Sequence, residues 1–253
     1  MNVAVIMKQV PDTEALIKVA PDGSGYVKEG VKFVMNPYDE FGVEEALKNK
    51  ESAGAKEVTI VSMGSERAVE AIRTGLAMGA DKGVLLKIGE NEYTDAFGVA
   101  KALAEELKGG DYKIIYCGKQ AIDDDMAQVG PMVAQLLDIP CVNVVTSVEL
   151  SGDKAVCTRE IEGGKEIFEV SLPAVIACQK GLNEPRYASL PGIMKAKKKP
   201  LDIKDVKLEG AKSEIAKWEM PPERPAGRII EGDDPAAKAA ELVKALREEA
   251  KVI

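Results

Sequence analysis

The chain has 253 residues, of which 45% are hydrophobic and 30% charged, enough to build a sizeable core without disulfide or metal staples. Its formal net charge is −8, and it contains no histidine. The acidity disfavours general nucleic-acid binding. The missing imidazole excludes Ser-His-Asp and Cys-His nucleophiles and removes the commonest zinc ligand.

The four cysteines, Cys117, Cys141, Cys157 and Cys178, form no C-x-x-C pair, so no zinc ribbon, iron–sulfur run or thioredoxin motif is visible. They are expected to be reduced and mostly buried, with Cys117 and Cys178 in the core. Met1–Val10 is too short for a targeting segment, and no apolar run approaches membrane-spanning length, so a cytoplasmic protein is expected.

In chain order, Val3–Met7 reads as a strand covered on both faces, broken by Pro11 and Asp12. Ile17–Ala20 and Tyr26–Val27 flank Pro21-Asp22-Gly23-Ser24-Gly25 as a predicted hairpin. Val31–Met35 leads into Asn36-Pro37, which delays the next helix until after Asn36. Phe41–Glu51 carries Val43, Ala46 and Leu47 at helical spacing. The strand Val58–Met63, the helix Glu66–Met78, the strand Gly83–Lys87 and the helix Thr94–Leu107 follow, the last stopped by Gly109-Gly110. This β-α alternation predicts an α/β fold, a three-layer sheet of mostly parallel strands with helices on both faces.

The stretch Tyr116–Gly130 closes that series. Lys113–Tyr116 is a short buried strand, and Met126–Leu137 reads as a helix with Asp125 as its N-cap. A helix N-terminus behind a Gly-led loop offers unpaired N–H groups to an anion, at the strand ends where open α/β sheets bind ligands. From Cys141 the pattern changes. Val144–Leu150, Ala155–Ile161 and Lys165–Leu172 alternate as an antiparallel meander, and Ala174–Cys178 is one more apolar strand. Gln179–Pro200 has little periodicity and a basic end. Leu201–Arg228 reads as an extended arm with Trp218 as its packing anchor, and Asp234 caps a final helix striped by Ala239, Leu242, Val243 and Leu246. The predicted domains are therefore residues 1–200 and a C-terminal arm and helix, residues 201–253.

Five segments carry a family resemblance: M-N-P-Y-D-E-F-G-V-E-E-A at Met35–Ala46, A-M-G-A-D-K-G at Ala77–Gly83, G-K-Q-A-I-D-D-D at Gly118–Asp125, R-E-I-E-G-G at Arg159–Gly164 and L-N-E-P-R-Y-A-S-L-P-G-I-M-K-A-K-K-K at Leu182–Lys199. In this order they closely resemble the beta subunit of electron-transfer flavoprotein. The resemblance implies an adenine-nucleotide-binding (Rossmann-like) fold and an obligate heterodimer with an alpha subunit, on which the C-terminal arm and helix would pack. It also implies an FAD held mainly by alpha and an AMP held by this chain. It assigns the nucleotide contacts to Ile6, to Asn36, Pro37, Tyr38 and Asp39, to Met63, and to Gly118, Lys119, Gln120, Ala121, Ile122, Asp123, Asp124, Asp125, Met126, Ala127, Gln128 and Val129. Backbone N–H groups of Met126 to Val129 would take the phosphate, and Ile6, Met63 and Ile122 would flank the adenine.

The resemblance further assigns the docking of flavin-containing dehydrogenases, such as acyl-CoA dehydrogenases, to Arg186, Tyr187, Leu190, Pro191, Ile193, Met194, Lys195, Lys197 and Lys198. Leu190 would be the apolar anchor, outside any helix or strand, and the lysines, Lys199 included, would steer an acidic partner. Electrons would pass on to a membrane quinone oxidoreductase and the respiratory chain. The implied role is that of an electron carrier with no catalytic residues and no metal of its own. Asp123, Asp124 and Asp125 are adjacent, and nothing nearby completes an octahedral oxygen set. The bifurcating branch of the same family, with a second FAD in place of AMP and NADH as donor, stays open. Ala127-Gln128-Val129-Gly130-Pro131 resembles that branch, whereas Asp124 and the N-E-P-R-Y-A-S-L-P form of the loop resemble the AMP branch. An adenylating or nucleotide-hydrolysing enzyme is disfavoured, because Met7-Lys8-Gln9-Val10-Pro11 is no pyrophosphate loop and no G-x-x-x-x-G-K-[ST] segment occurs.

Overall fold

Strands apolar at successive positions have to be covered on both sides, and that requirement organises the first 218 residues. The structure is a computed structural model and describes residues 1–253 except 91, 209, 210 and 225. In chain order the elements are β1 (Asn2–Ile6), β2 (Gln9–Pro11), β3 (Phe33–Met35), α1 (Pro37–Ser52), β4 (Glu57–Gly64), α2 (Ala68–Met78), β5 (Lys82–Lys87), α3 (Ala96–Lys108), β6 (Tyr112–Gly118) and α4 (Val129–Leu137). There follow β7 (Cys141–Ser151), β8 (Lys154–Ile161), β9 (Gly164–Ser171), β10 (Ala174–Cys178), α5 (Leu190–Ala196), β11 (Leu201–Asp205) and α6 (Pro235–Lys244), which runs into a π-helical turn at Ala245–Glu249.

One sheet has the order β11-β5-β4-β1-β6-β10-β7-β8-β9, parallel from β11 to β7 and antiparallel through the meander β7-β8-β9. Alternation along β1 divides the core. Val3 and Val5 face the layer of α1 and α2, with Ile60, Leu85 and Tyr116. Ala4 and Ile6 face the layer of α3 and α4, with Val61, Leu103 and Val133. After β1 the chain builds β4 and β5 on one side, then returns through α3 to place β6 on the other. The order therefore reverses between β1 and β6, the place where an open α/β sheet leaves a crevice at its carboxyl ends.

Several expectations change. The predicted hairpin around Gly23 is present but short, one antiparallel bridge between Val19 and Tyr26 with Ala20 N–H donating to Gly25 O and Val27 N–H to Lys18 O, both at 2.8 Å, while Gln9–Pro11 pairs antiparallel with Phe33–Met35 as a separate two-stranded sheet. Gln179–Pro200 contains α5, which has seven residues, starts at Leu190 and carries Pro191 in its first turn, too short to show a period. Leu201–Asp205 is not part of an extended arm but a parallel edge strand on β5, prepared by Gly83 N–H donating to Pro200 O at 3.0 Å. The compact unit accordingly runs from Met1 to Trp218, past the expected boundary at 200/201. Trp218 fastens the end of that unit. Its N–H donates to Gly23 O at 3.0 Å, and its ring lies 5.9 Å from that of Tyr26. Cys117 and Cys178 are buried, as expected.

Residues Glu219–Ile253 form a second unit. Asp234 caps α6 by accepting from Ala236 and Ala237, and Arg228 pairs with Glu241 and Glu249. Among the described residues no helix is long and apolar enough to cross a membrane.

Gly83 is required where α2 and β11 close on β5. A Cβ there would stand 2.5 Å from Ile72 Cγ2 and 2.8 Å from Leu201 Cδ1. Gly83→Ala should therefore cost about 1–3 kcal/mol through overpacking. A melting temperature equal to wild type would show that β11 yields freely.

Candidate functional site

The crevice between β1 and β6 is tied together by one buried carboxyl group. Asp39, in the first turn of α1, accepts from Lys8 N–H through Oδ2 at 2.7 Å and from Gly118 N–H through Oδ1 at 2.8 Å. The ends of β1 and β6 are thus fastened to the same side chain. Gly118 permits the approach, since a Cβ there would lie 2.5 Å from Asp39 Oδ1 and 2.6 Å from Tyr38 Cβ. Asn36 is buried and does not cap α1 with its side chain. Instead its Nδ2 donates to Gln120 O at 2.9 Å and its Oδ1 accepts from Ile122 N–H at 3.3 Å, while its own N–H donates to Lys8 O at 2.9 Å. Met63 reaches the same rim, because β4 lies beside β1 with Ile6 opposite Val61 and Met7 N–H donating to Val61 O at 3.0 Å. Ile6 is buried, and Met63 packs partly buried in the same apolar cluster.

The loop from Gly118 to Gln128 differs from its expected form. The helix begins at Val129 rather than Met126, and Asp125 is not its N-cap. Asp125 and Ala127 adopt left-handed backbone, with φ of 52° and 54°, which breaks any helix through these positions. Met126 N–H donates to Asp124 Oδ1 at 3.1 Å, which removes it from the expected set of anion donors. Among the described residues no acceptor is found for the N–H groups of Ala127, Gln128, Val129 or Gly130, and Pro131 has none to offer. An α-helix start with free amides and no side-chain cap is suited to a phosphate. Lys119 lies over the Tyr38 ring at 5.1 Å, and the Gln120 side-chain amide donates to Asp125. Gly130 packs against Cys117, where a Cβ would meet Sγ at 2.7 Å.

Lys8 was not among the expected site residues, yet its Nζ donates to Asp123 Oδ1 at 2.7 Å and to Asp124 Oδ2 at 2.9 Å. The two carboxylates raise its pKa against the opposing effect of burial, which is the largest single influence. The pairing spans more than 110 positions, so nothing local in the sequence announces it. Arg67, in the turn after β4, packs over Phe33 at 3.6 Å and pairs with Glu90 at 3.2 Å.

The segment expected to dock partners, residues 182–199, is organised by α1 and α2. Arg186 is not free for a partner: its guanidinium forks onto Glu44, with Nε and Nη2 each at 2.8 Å, and also reaches Glu51. Asn183 Nδ2 donates to Phe41 O and to Glu45. Lys199 Nζ donates to Leu76 O and Ala80 O at the end of α2, while Arg73 donates to Ala196 O and Lys199 O at the end of α5. Lys199 therefore belongs to the framework, and burial lowers its pKa. Contrary to expectation Leu190 is helical, the first residue of α5, which Ser189 caps through Gly192 N–H. It is nonetheless 74% exposed, and Tyr187 is 98% exposed. Ile193, Met194, Lys195, Lys197 and Lys198 are exposed around them.

A doubly wound α/β sheet with uncapped helix amides at its switch point is a protein of the class that binds ligands across the carboxyl ends of its strands. The family model described as electron transfer flavoprotein domain matches residues 24–209. The chain is 45% identical over 252 residues to electron transfer flavoprotein subunit beta of Syntrophomonas wolfei, covering 100% of this chain and 98% of the relative. It is 41% identical over 261 residues to the subunit of that name from Bacillus subtilis, covering all of both. With that of Mus musculus it shares 43% identity over 249 residues, covering 96% of this chain and 98% of the relative. The chain belongs to the electron-transfer flavoprotein family, as a beta subunit.

Asp39 gives a test of the rim. Asparagine would set a donor against either Lys8 N–H or Gly118 N–H, and Asp39→Asn should cost about 1–3 kcal/mol. Burial pushes the Asp39 carboxyl up to about 7. The folded chain therefore retains a proton that the unfolded chain has already lost, and this group's contribution to wild-type stability falls as pH rises from about 4 to 7. Asparagine does not titrate, so the melting-temperature gap between variant and wild type should narrow across that window. A constant or widening gap would contradict the assignment.

Proposed function

We propose that this chain is the non-catalytic half of a two-subunit electron carrier and that its rim between β1 and β6 holds AMP as a structural ligand. The observation that carries the reading is the run of free N–H groups from Ala127 to Gly130, next to the loop that Asn36 and Lys8 hold against the strand ends. A phosphate is satisfied there by backbone alone, which suits a chain without histidine. Ile6, Met63 and the half-buried Ile122 supply apolar walls for a purine. FAD, when bound with an alpha subunit, supplies the redox chemistry, and this chain's residues shape and hold the assembly. Such a carrier is expected to work in the cytoplasm.

Heating the purified heterodimer and identifying the nucleotide released is the direct test. One AMP per beta chain and one FAD per heterodimer are expected. Two FAD, with rapid bleaching by NADH, would replace this reading with the bifurcating one.

The surface of α5 is the proposed grip for flavin dehydrogenases, from which electrons would go on to a membrane quinone oxidoreductase. Leu190, Met194, Ile193 and Tyr187 supply apolar area, and Lys195, Lys197 and Lys198 supply charge that speeds encounter with an acidic partner. Arg186 acts from behind by holding the segment on α1. Burying a leucine at an interface is worth about 1.5–3 kcal/mol. Leu190→Ala should therefore raise the apparent Michaelis constant of a dehydrogenase for the carrier by about ten-fold or more, with FAD and AMP content unchanged. Wild-type transfer by this variant would remove Leu190 as the anchor.

A further inference from the structure

Residues 123–128 are exposed, and their two left-handed positions keep them out of α4. Asn36 fastens only the earlier part of the loop, at Gln120 and Ile122. Among the described residues, the hydrogen bonds and ion pairs that reach 123–128 from outside the loop and its own helix all come from the Lys8 ammonium. Lys8 itself is rigidly mounted, with its N–H on Asp39 and its carbonyl on Asn36 N–H. Its side chain is 40% exposed, and those of Asp123 and Asp124 are 28% and 42%, so the pairs are within reach of solvent and salt.

We propose that Lys8 is a clasp that governs ligand exchange: by bridging Asp123 and Asp124 it holds the loop closed over the rim, and its opening admits or releases the nucleotide. The inference rests on the nucleotide reading above, since it concerns the same site. The alternative chemistry for Lys8 is direct contact with the phosphate, and the two roles give opposite results when the aspartates are neutralised. In a clasp the aspartates are needed for closure. In a direct contact they compete for the ammonium and repel the ligand, so removing them strengthens binding.

The test compares the purified complex carrying wild-type chain, Lys8→Met, Lys8→Arg, the pair Asp123→Asn with Asp124→Asn, and the triple variant. Two quantities are read: hydrogen exchange of the amides of 119–128, and release of a fluorescent AMP analogue chased by excess AMP. At low salt, Lys8→Met and the asparagine pair should each accelerate both by about three- to ten-fold, the range expected of two part-exposed ion pairs. The triple variant should be no faster than either, because all remove one interaction. Lys8→Arg should stay near wild type. Wild-type release should rise toward the variants near 0.5 M salt (about 4 Å of screening length) while theirs changes little. Slower release from the asparagine pair, or loop exchange unchanged by Lys8→Met, overturns the clasp. If wild type binds no adenine nucleotide, the functional reading fails, while hydrogen exchange still decides whether the clasp exists.

Discussion

The Asp39 carboxyl group is the constraint on which the rim depends. It is buried at the start of α1 and accepts backbone N–H groups from Lys8 and Gly118. These residues leave the ends of β1 and β6, the two strands between which the order of the sheet reverses. Without a shared acceptor, two part-buried strand-end donors would lack a protein partner, at a cost of up to about 1–3 kcal/mol each. With it, the spacing of the crevice is set by one side chain. The close approach of Gly118 to Asp39 and Tyr38 follows from the same geometry.

The second layer of the site divides labour between neutral and charged contacts. Asn36 uses both ends of its amide to hold Gln120 and Ile122, contacts that salt does not screen. Lys8 holds Asp123 and Asp124 through exposed ion pairs that salt does screen. The base of the loop is therefore held by neutral contacts and its tip by ion pairs. At α5 the anchoring contacts are mostly charged. Arg186 and Asn183 anchor the segment on α1, and Arg73 and Lys199 satisfy helix-end carbonyls between α2 and α5. This leaves Leu190 and its neighbours facing outward from a firm base.

Both segments are short and are supported by long-range side-chain contacts. The chain can carry them because the strands beneath are buried on both faces and need nothing from the rim for their own pairing.

How much of this was legible in the sequence follows from the range of the interactions. The apolar runs of β1, β4, β5, β6 and β10 and the stripes of α2 and α3 determined a parallel α/β sheet, because burial on two faces and helical period are local patterns. The five motifs determined the family. Where the outcome depended on residues distant in sequence, only the tertiary structure decided. Leu201–Asp205 became a strand because β5 offered an open edge. Leu190 became helical in a segment too short to show a period. Asp125 lost its capping role to left-handed backbone, and Lys8 gained its place in the site through carboxylates more than 110 residues away. A single chain read in order displays periodicity and turn chemistry, but an ion pair between a strand end and a remote loop exists only once the sheet has brought them together.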